Sequence, residues 1–421
     1  MKRRGQRSRV AATQRDLGQT APARLRIAIV NTFMPSDAPG GAEEVVRQLS
    51  HALEGLGHMV EIFCLGNEEV MEDSPKIDKT KICNVYMPGK RKPFPARLLW
   101  HFIDQFAPWT ARRLAKKICK FSPDIVHFHN TAGLGRRVFN EIRTRVDVPQ
   151  ILTLHDGFLF CVRGTMLHGN RVCDGQSLPC RLKRRLNQRA LGRVDLFVSP
   201  SEYLQRQAVA AGLAFPYVLR NGLAPSKVLD RVGRTAKSPI FLYAGQLTEH
   251  KGLRVLIDAV QQMRQEAEIR ILGSGPLLEE LRKIPRLRCL GYVSVSEKAA
   301  QFAEADALIV PSVWPENQPL VVIEALQGGL AVVATRVGGL PEMVREDENG
   351  LLVEPRDAVQ LAAALDSMAS DPVLLKRLQA GAYASSLLFN RERMGKDYQE
   401  IYYKMIQKPR HEAAGGKNPN A

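Results

Sequence analysis

The sequence predicts an α/β protein built from two doubly wound domains in tandem, each a parallel sheet covered by helices, facing each other across a central cleft. Three observations predict it. The chain has 421 residues, more than one hydrophobic core usually serves. Short, continuously apolar runs rich in β-branched residues alternate with helical patterns, the signature of strands buried on both faces. The alternation runs twice, broken by a polar connector at about 224–239 that contains SKVLDRVGRTAKSP.

The first series opens with LRIAIVNTF, followed by an amphipathic stretch at 42–56 and then HMVEIFCLG. DIVHFHN, QILTLHD, DLFVSPS and YVLRNG supply the later strands. In the second series IFLYAGQ precedes a helix from 253 to about 265, then come EIRILGSG, CLGYV and a helix ending near 305. ALIVPS, a helix over 319–327, AVVATRVGG and LLVEP complete it. The expected organisation is a disordered basic tail over 1–23, an N-terminal domain over 24–223, a linker over 224–238 and a C-terminal domain over 239–390. A helix over 391–408 that can cross back to the N-terminal domain and a disordered tail over 409–421 close the chain. Ligands of open α/β sheets bind beyond the carboxyl ends of the strands, so two such domains facing each other frame a binding cleft.

Composition narrows the function classes. With 45% apolar and 24% charged residues, disordered, collagenous and disulfide-scaffold classes are excluded. Seven cysteines, an odd number without framework spacing, do not suggest disulfides. The basic N-terminus has no apolar segment behind it, and no run approaches the length of a membrane span, so a cytoplasmic protein is expected. The net charge of +17 is uneven: residues 1–220 hold 35 basic against 19 acidic side chains, whereas residues 221–421 are nearly balanced. An anionic partner for the N-terminal half follows.

The segment PSVWPENQPLVVIEALQGGLAVVATRVGGLPEMV carries the most chemistry. Glu316 and Glu324 are eight apart, with Pro319 between them at a favoured helix start. Glu316 is thus placed in the loop before a helix, Glu324 on that helix, and both at the carboxyl edge of the sheet. The amides of Gln318, Leu320 and Val321 are free donors suited to a phosphate, beside Asn317 in the same loop. Gly338 and Gly339 after the next strand permit a close backbone approach.

This segment resembles the Glu-x7-Glu motif of the retaining glycosyltransferases of family 4, and the resemblance runs from about Leu25 to Tyr403. It implies the GT-B fold, two Rossmann-like domains facing a cleft, and transfer of a hexose from a UDP- or GDP-linked donor to a hydroxyl acceptor. Glu316 would hold donor-sugar hydroxyls near the reacting carbon, and Glu324 the ribose. The loop with Gly40 and Gly41 resembles the family's N-terminal glycine loop, where the donor diphosphate or the acceptor approaches the following helix. AGQLTEHKGLRVLIDAV resembles its diphosphate-binding strand-loop-helix. There Lys251 matches the family lysine, while Gln246 stands where an arginine is usual, leaving charge stabilisation to Lys251 with help from His250. The base would be gripped by backbone near Tyr292 and Val293. In relatives a histidine at the end of a strand like DIVHFHN reaches the donor sugar and diphosphate; His129 is favoured over His127, with His155 a further candidate. Front-face departure of the nucleotide is implied, without a protein nucleophile and without a metal, and the sequence has no Asp-x-Asp motif. A nucleotide-sugar epimerase on the same fold, or a donor-binding protein weak in turnover, are the alternatives.

Two further features concern partners. Cys161, Cys173 and Cys180 with His168 are candidate zinc ligands, although no Cys-x2-Cys pair is present and unrelated loop thiols explain them as well. Residues 88–120 interleave Trp100 and Trp109 with nine Lys or Arg, including Arg112, Arg113, Lys116 and Lys117. That pattern fits a helix on an anionic membrane surface, beside an acceptor side that takes a glycan or lipid-linked substrate, with attachment to the inner face of the cell membrane. A second basic stretch spans 181–193. No nucleic-acid motif accompanies the charge, so nucleic acid is not expected as a partner.

Overall fold

The computed structural model describes residues 24–33, 40–65, 76–80, 109–162, 164, 166–168, 171–173, 177–214, 216–225 and 238–407. The expected tails, most of the linker and Trp100 lie outside them.

The N-terminal domain contains β1 (Arg26–Val30), α1 (Gly41–Gly55), β2 (Met59–Leu65), β3 (Lys76–Thr80), α2 (Trp109–Phe121), β4 (Ile125–Phe128), α3 (Val138–Val146) and β5 (Gln150–Thr153). A short hairpin, β6 (Leu167–His168) with β7 (Arg171–Val172), precedes α4 (Leu178–Leu191), β8 (Leu196–Ser199), α5 (Glu202–Ala210) and β9 (Tyr217–Val218). Its sheet has the order β3-β2-β1-β4-β5-β8-β9 with every pairing parallel. β1 and β4 are buried along almost their whole length, which explains their unbroken apolar sequence. The strand order reverses between β1 and β4, so the loops after these strands diverge and leave a crevice at their carboxyl ends.

The C-terminal domain repeats the scheme with β10 (Ile240–Ala244), α6 (Leu253–Gln262), β11 (Glu268–Leu272), α7 (Leu278–Leu281), β12 (Leu287–Gly291), α8 (Val295–Glu304) and β13 (Ala307–Val310). α9 (Leu320–Gln327), β14 (Ala331–Thr335), β15 (Gly350–Val353), α10 (Ala358–Ser370) and α11 (Pro372–Ser386) follow. The sheet order β12-β11-β10-β13-β14-β15 is again all parallel, and an apolar cluster covers each of its faces.

The last helix, α12 (Arg391–Gln407), leaves this domain and packs on the N-terminal one against α1. Its Met394, Tyr398, Ile401 and Tyr402, spaced at helical period, join the core formed by β1, β2 and α1. Outgoing and returning chains touch where they cross: Leu223 N–H donates to Phe389 O at 3.0 Å, and Arg391 N–H to Leu223 O at 2.9 Å.

The helix α2 corrects part of the membrane reading. Its Thr110, Ala111, Leu114, Ala115, Ile118 and Phe121 are buried in the domain core, so its apolar stripe is spent on folding. What it presents outward is basic, with Arg112, Arg113 and Lys116 exposed beside Trp109. Among the described residues no helix is long and apolar enough to cross a membrane.

Candidate donor-binding cleft

The site is assembled by loops at the carboxyl ends of β10 and β13 on one side and of β4 and β5 on the other. After β10, a single 3-10 turn over Glu249–Lys251 brings Lys251 to the front of α6. Gly252 permits this turn: its φ of +77° is left-handed, and a side chain there would lie 1.7 Å from the carbonyl oxygen of Pro311. The two loops are also tied by Val313 N–H donating to His250 O at 3.0 Å. Lys251 is thereby set against the Glu316 loop, 65 residues away in sequence.

Lys251 Nζ lies 2.7 Å from Oε1 of Glu316, which also accepts from Ser312 Oγ at 2.7 Å. Glu316 is 6% exposed, and these two donors engage only its Oε1. The ring of Trp314 faces the same cation, with Lys251 Nζ 5.1 Å from its centroid and the His250 ring 4.7 Å away. Burial and the Lys251 charge hold the His250 imidazole below its usual range. Tyr243 completes the floor, donating its hydroxyl to the carbonyl oxygen of Gln246 at 2.7 Å, while the Gln246 residue itself is exposed.

Glu324 stands a turn into α9 and pairs with Lys298, whose Nζ is 2.7 Å from Oε1 and 2.6 Å from Oε2, the first contact being the aligned hydrogen bond. Burial raises the Glu324 carboxyl above its ordinary value, and the Lys298 charge opposes that rise. Lys298 is fixed by a capping box at the start of α8: Ser294 Oγ accepts from Glu297 N–H, and Glu297 Oε2 accepts from Ser294 N–H at 2.7 Å. Tyr292, 77% exposed, and Val293 form the connection into this helix from β12.

Gly338 and Gly339 do admit a close backbone approach, and the approaching backbone is that of the Glu316 loop. A side chain at Gly338, whose φ is +60°, would lie 2.1 Å from Glu316 O, and one at Gly339 2.0 Å from Asn317 O. Gly339 N–H donates to Glu316 O at 2.7 Å. The glycines therefore admit the backbone of the Glu316 loop, holding the carboxylate in place, and are occupied by protein on that side.

Asn317 and Gln318 reach across the cleft. Asn317 Oδ1 accepts from Ser201 Oγ, and its Nδ2 donates to His155 O at 3.1 Å. Gln318 Oε1 accepts from Asn221 N–H at 2.7 Å. Both side chains thus bridge to the N-terminal domain. Glu342 adds to the bridge, its carboxylate accepting from the N–H groups of Glu202 and Tyr203 at 2.8 and 2.7 Å at the start of α5. Gly40 and Gly41, at the start of α1, sit opposite the first turn of α9: a side chain at Gly41 would touch Leu320 at 3.9 Å.

The histidines divide into two roles. His127 is enclosed, with Nδ1 2.7 Å from Tyr402 Oη and Nε2 2.8 Å from Thr153 Oγ1, and Thr153 in turn meets Tyr398 Oη at 2.8 Å. Both its nitrogens are spent on the fold. His129 Nδ1 lies 2.9 Å from Nε2 of His155, and its own Nε2 is buried with no partner among the described residues. Burial drives all three imidazoles toward neutrality, His127 to about 3 and His155 to about 4, with His129 held well below its usual range. A neutral His129 is a hydrogen-bonding group at physiological pH, and it differs from His127 in having one ring nitrogen without a partner among the described residues.

Cys161 and Cys180 are buried free thiols within hydrogen-bonding reach of each other and Cys173 is partly exposed. The side chain of His168 lies outside the described residues, and among those described no three His, Cys, Asp or Glu side chains are placed to hold a metal ion.

Sequence reasoning missed Ser312, Trp314, Lys298, Ser201 and Glu342. Ser312 and Trp314 fall inside the segment that was singled out, but nothing in their spacing distinguishes them from other loop residues. Lys298 and Glu342 depend on contacts 26 and 139 to 140 residues apart.

Comparison with known proteins adds to this geometry. A family model described as Glycosyltransferase Family 4 matches residues 39–227, and one described as Glycosyl transferases group 1 matches residues 238–371. The chain is similar to the phosphatidyl-myo-inositol mannosyltransferase of Mycobacterium tuberculosis, 26% identical over 375 residues that cover 83% of this chain and 89% of that protein. Its fold is similar to that of the sucrose-phosphate synthase of Thermosynechococcus elongatus, with a TM-score of 0.73 and 22% identity over 91% of this chain and 99% of that one. Anabaena HepE, solved in complex with UDP and glucose, gives a TM-score of 0.63 at 17% identity over 90% of this chain and 100% of that one.

Proposed function

The chain belongs to glycosyltransferase family 4 and has its two-domain GT-B fold, and from that premise we propose a retaining hexosyltransferase. It moves a hexose from a UDP- or GDP-linked donor to a hydroxyl of a glycan or lipid-linked acceptor, in cell-surface polysaccharide synthesis. The observation that carries the reading is the Lys251–Glu316 pair at 2.7 Å, linked through Asn317 and His155 to the unpartnered Nε2 of His129. A cation, a carboxylate and a neutral imidazole thus converge from both domains on one cleft.

Each group has a task in this reading. Glu316 accepts hydrogen bonds from donor-sugar hydroxyls through the oxygen that Lys251 and Ser312 leave open. Glu324 accepts from the ribose hydroxyls. Lys251, freed to turn toward the donor, stabilises charge on the departing diphosphate, with the amides that open α9 adding their dipoles. Gln246 offers a hydrogen bond without charge, so the lysine supplies the positive charge of the diphosphate subsite and no metal is required for that role.

The bond changes balance on one face of the sugar. The bond from the anomeric carbon to the phosphate oxygen breaks, with both electrons leaving on the diphosphate. The acceptor oxygen bonds to the same face, and its proton passes to the departing phosphate oxygen. Retention of configuration follows from the shared face.

The proposed setting is the cytoplasmic face of the cell membrane, with the exposed Arg112, Arg113 and Lys116 of α2 meeting anionic lipid as a charged surface. Incubating the protein with UDP- and GDP-sugars and membrane lipid extract tests the transfer reading. Nucleotide release with an α-linked product from an α-linked donor supports it. A β-linked product would overturn retention, and absence of nucleotide release from every donor would overturn the hexosyltransferase assignment.

A further inference from the structure

Helices α3 and α4 pack against the same core of the N-terminal domain, and the groove between them holds a cavity of about 350 Å³. Four arginines line it, Arg136, Arg137, Arg189 and Arg193, together with Asn140 and one acid, Glu141. Glu141 is engaged elsewhere, pairing with Arg145 and with Arg112 at 3.4 Å. Among the described residues, Arg137, Arg189 and Arg193 have no carboxylate within ion-pair distance, and all three are exposed. Arg136 is half-buried and anchored, its Nη1 donating to the carbonyl oxygen of Leu186 at 2.8 Å. Burial, then the charges of Arg137 and Arg189, push its guanidinium pKa down. The cluster therefore carries mutual repulsion that a bound anion relieves.

The choice of residue is informative. Arginine's planar fork matches two phosphate oxygens at once, which a lysine does not. Three or four such forks around a cavity of this size suit a group with two or more negative charges. The location is informative as well. Arg136 and Arg137 end the loop that begins at His129, so no more than about 25 Å of chain separates Arg136 from that histidine. A small adjoining void is lined by Thr131 and Gly135 of the same loop and by Phe158 of the loop that follows His155. An extended acceptor can lie with its hydroxyl near His129 and an anionic group among the arginines.

We propose that this groove is a second anion site, separate from the donor diphosphate site, that takes a phosphate or diphosphate group carried by the acceptor. The acceptor part of the inference rests on the transferase reading above; the anion site itself does not. The group is either the diphosphate of a lipid-linked acceptor or the phosphate of a soluble one, and the experiment separates these sources.

The probe is inorganic pyrophosphate, titrated calorimetrically into the full-length Lys251→Ala protein so that the donor site contributes little. Binding should persist there and weaken at least about tenfold when Arg137→Gln, Arg189→Gln and Arg193→Gln are added. These three side chains are exposed, and an unchanged melting temperature checks that the fold is intact. Equal affinity in the triple variant, or loss of all pyrophosphate binding on Lys251→Ala alone, would overturn the site. In a second arm, neutral phosphatidylcholine vesicles with and without a polyprenyl diphosphate are tested for co-flotation. Arginine-dependent flotation on the diphosphate vesicles assigns the lipid source. Arginine-dependent pyrophosphate binding without flotation assigns a soluble phosphorylated acceptor. If the wild type releases nucleotide from no sugar donor, the transferase reading fails while the pyrophosphate result stands on its own.

Discussion

Lys251 and Glu316, 65 residues apart, form an ion pair at 2.7 Å in which only one carboxylate oxygen is committed. Each partner holds the other in the cleft, and the proposed reaction gives them different tasks, so the two residues should fail differently when replaced. Glu316→Gln keeps the shape but removes the charge that organises sugar hydroxyls, and transfer should fall at least about 100-fold. Nucleoside diphosphate affinity should be kept or improved, because Lys251 is released. Lys251→Ala should weaken nucleoside diphosphate binding by about 10- to 100-fold. Calorimetric titration of both variants checks this. Weakened nucleotide binding in Glu316→Gln to the level of Lys251→Ala would remove the division of labour.

The three histidines predict the acid side of the stability curve. An imidazole held neutral in the fold titrates near 6.5 once unfolded, so the unfolded chain binds more protons below that pH. The stability these groups contribute is complete above about pH 6.5 and is lost as the pH falls toward the folded values, about 4 for His155 and about 3 for His127. Each costs about 1.4 kcal/mol per pH unit in that window. His127→Gln should lower the melting temperature at pH 7.5 by disrupting the contacts to Tyr402 and Thr153, yet show a shallower decline between pH 6.5 and 5 than the wild type. Parallel declines would show that His127 is not a source of the acid sensitivity.

The sequence made much of the C-terminal half of the cleft legible and less of the other half. Glu316, Glu324 and Lys251 stand at the ends of apolar strands with helix starts beside them, so chain order alone places them on one sheet edge. His127 and His129 differ only by what encloses them. The residues that enclose His127, Tyr398 and Tyr402, arrive on a helix from the far end of the chain, 245 to 275 residues away in their contacts. Amphipathicity of α2 was equally legible, but not which apolar surface its stripe covers; the domain core claims it. Gly338 and Gly339 were recognisable as points of close approach, while the identity of the approaching group required the packed loop.

Lys298 gives a pH-dependent test of the nucleotide subsite. Burial already raises the Glu324 carboxyl, and the Lys298 ammonium restrains that rise. With Lys298→Met the carboxyl should move further up, so that less of it is ionised near neutrality. The variant should bind nucleoside diphosphate more weakly at pH 6 than at pH 8, regaining affinity as the carboxyl ionises. The wild type should change less over that interval. A wild-type-like pH profile in Lys298→Met would show that the carboxylate needs no such support.

Asn317 predicts how closure is held. Its amide takes a hydrogen bond from Ser201 and donates one to the His155 carbonyl, so one side chain ties the Glu316 loop to two segments of the opposite domain. Each neutral hydrogen bond contributes about 1 kcal/mol net, so Asn317→Ala should destabilise the closed arrangement by about 1 to 2 kcal/mol without touching either core. Both cores are untouched, so the domains should stay folded and the loss should appear as opening, opposed by the remaining contacts of Gln318 to Asn221 and Glu342 to the start of α5. Small-angle scattering should therefore show a larger radius of gyration for Asn317→Ala in the absence of ligand. A saturating nucleoside diphosphate should not close it fully, because that ligand supplies no substitute for the His155 contact. An unchanged radius with unchanged donor affinity would mean that the Gln318 and Glu342 contacts suffice to hold the cleft. The predicted combination, an open resting state with intact melting of each domain, separates a closure contact from a purely structural one.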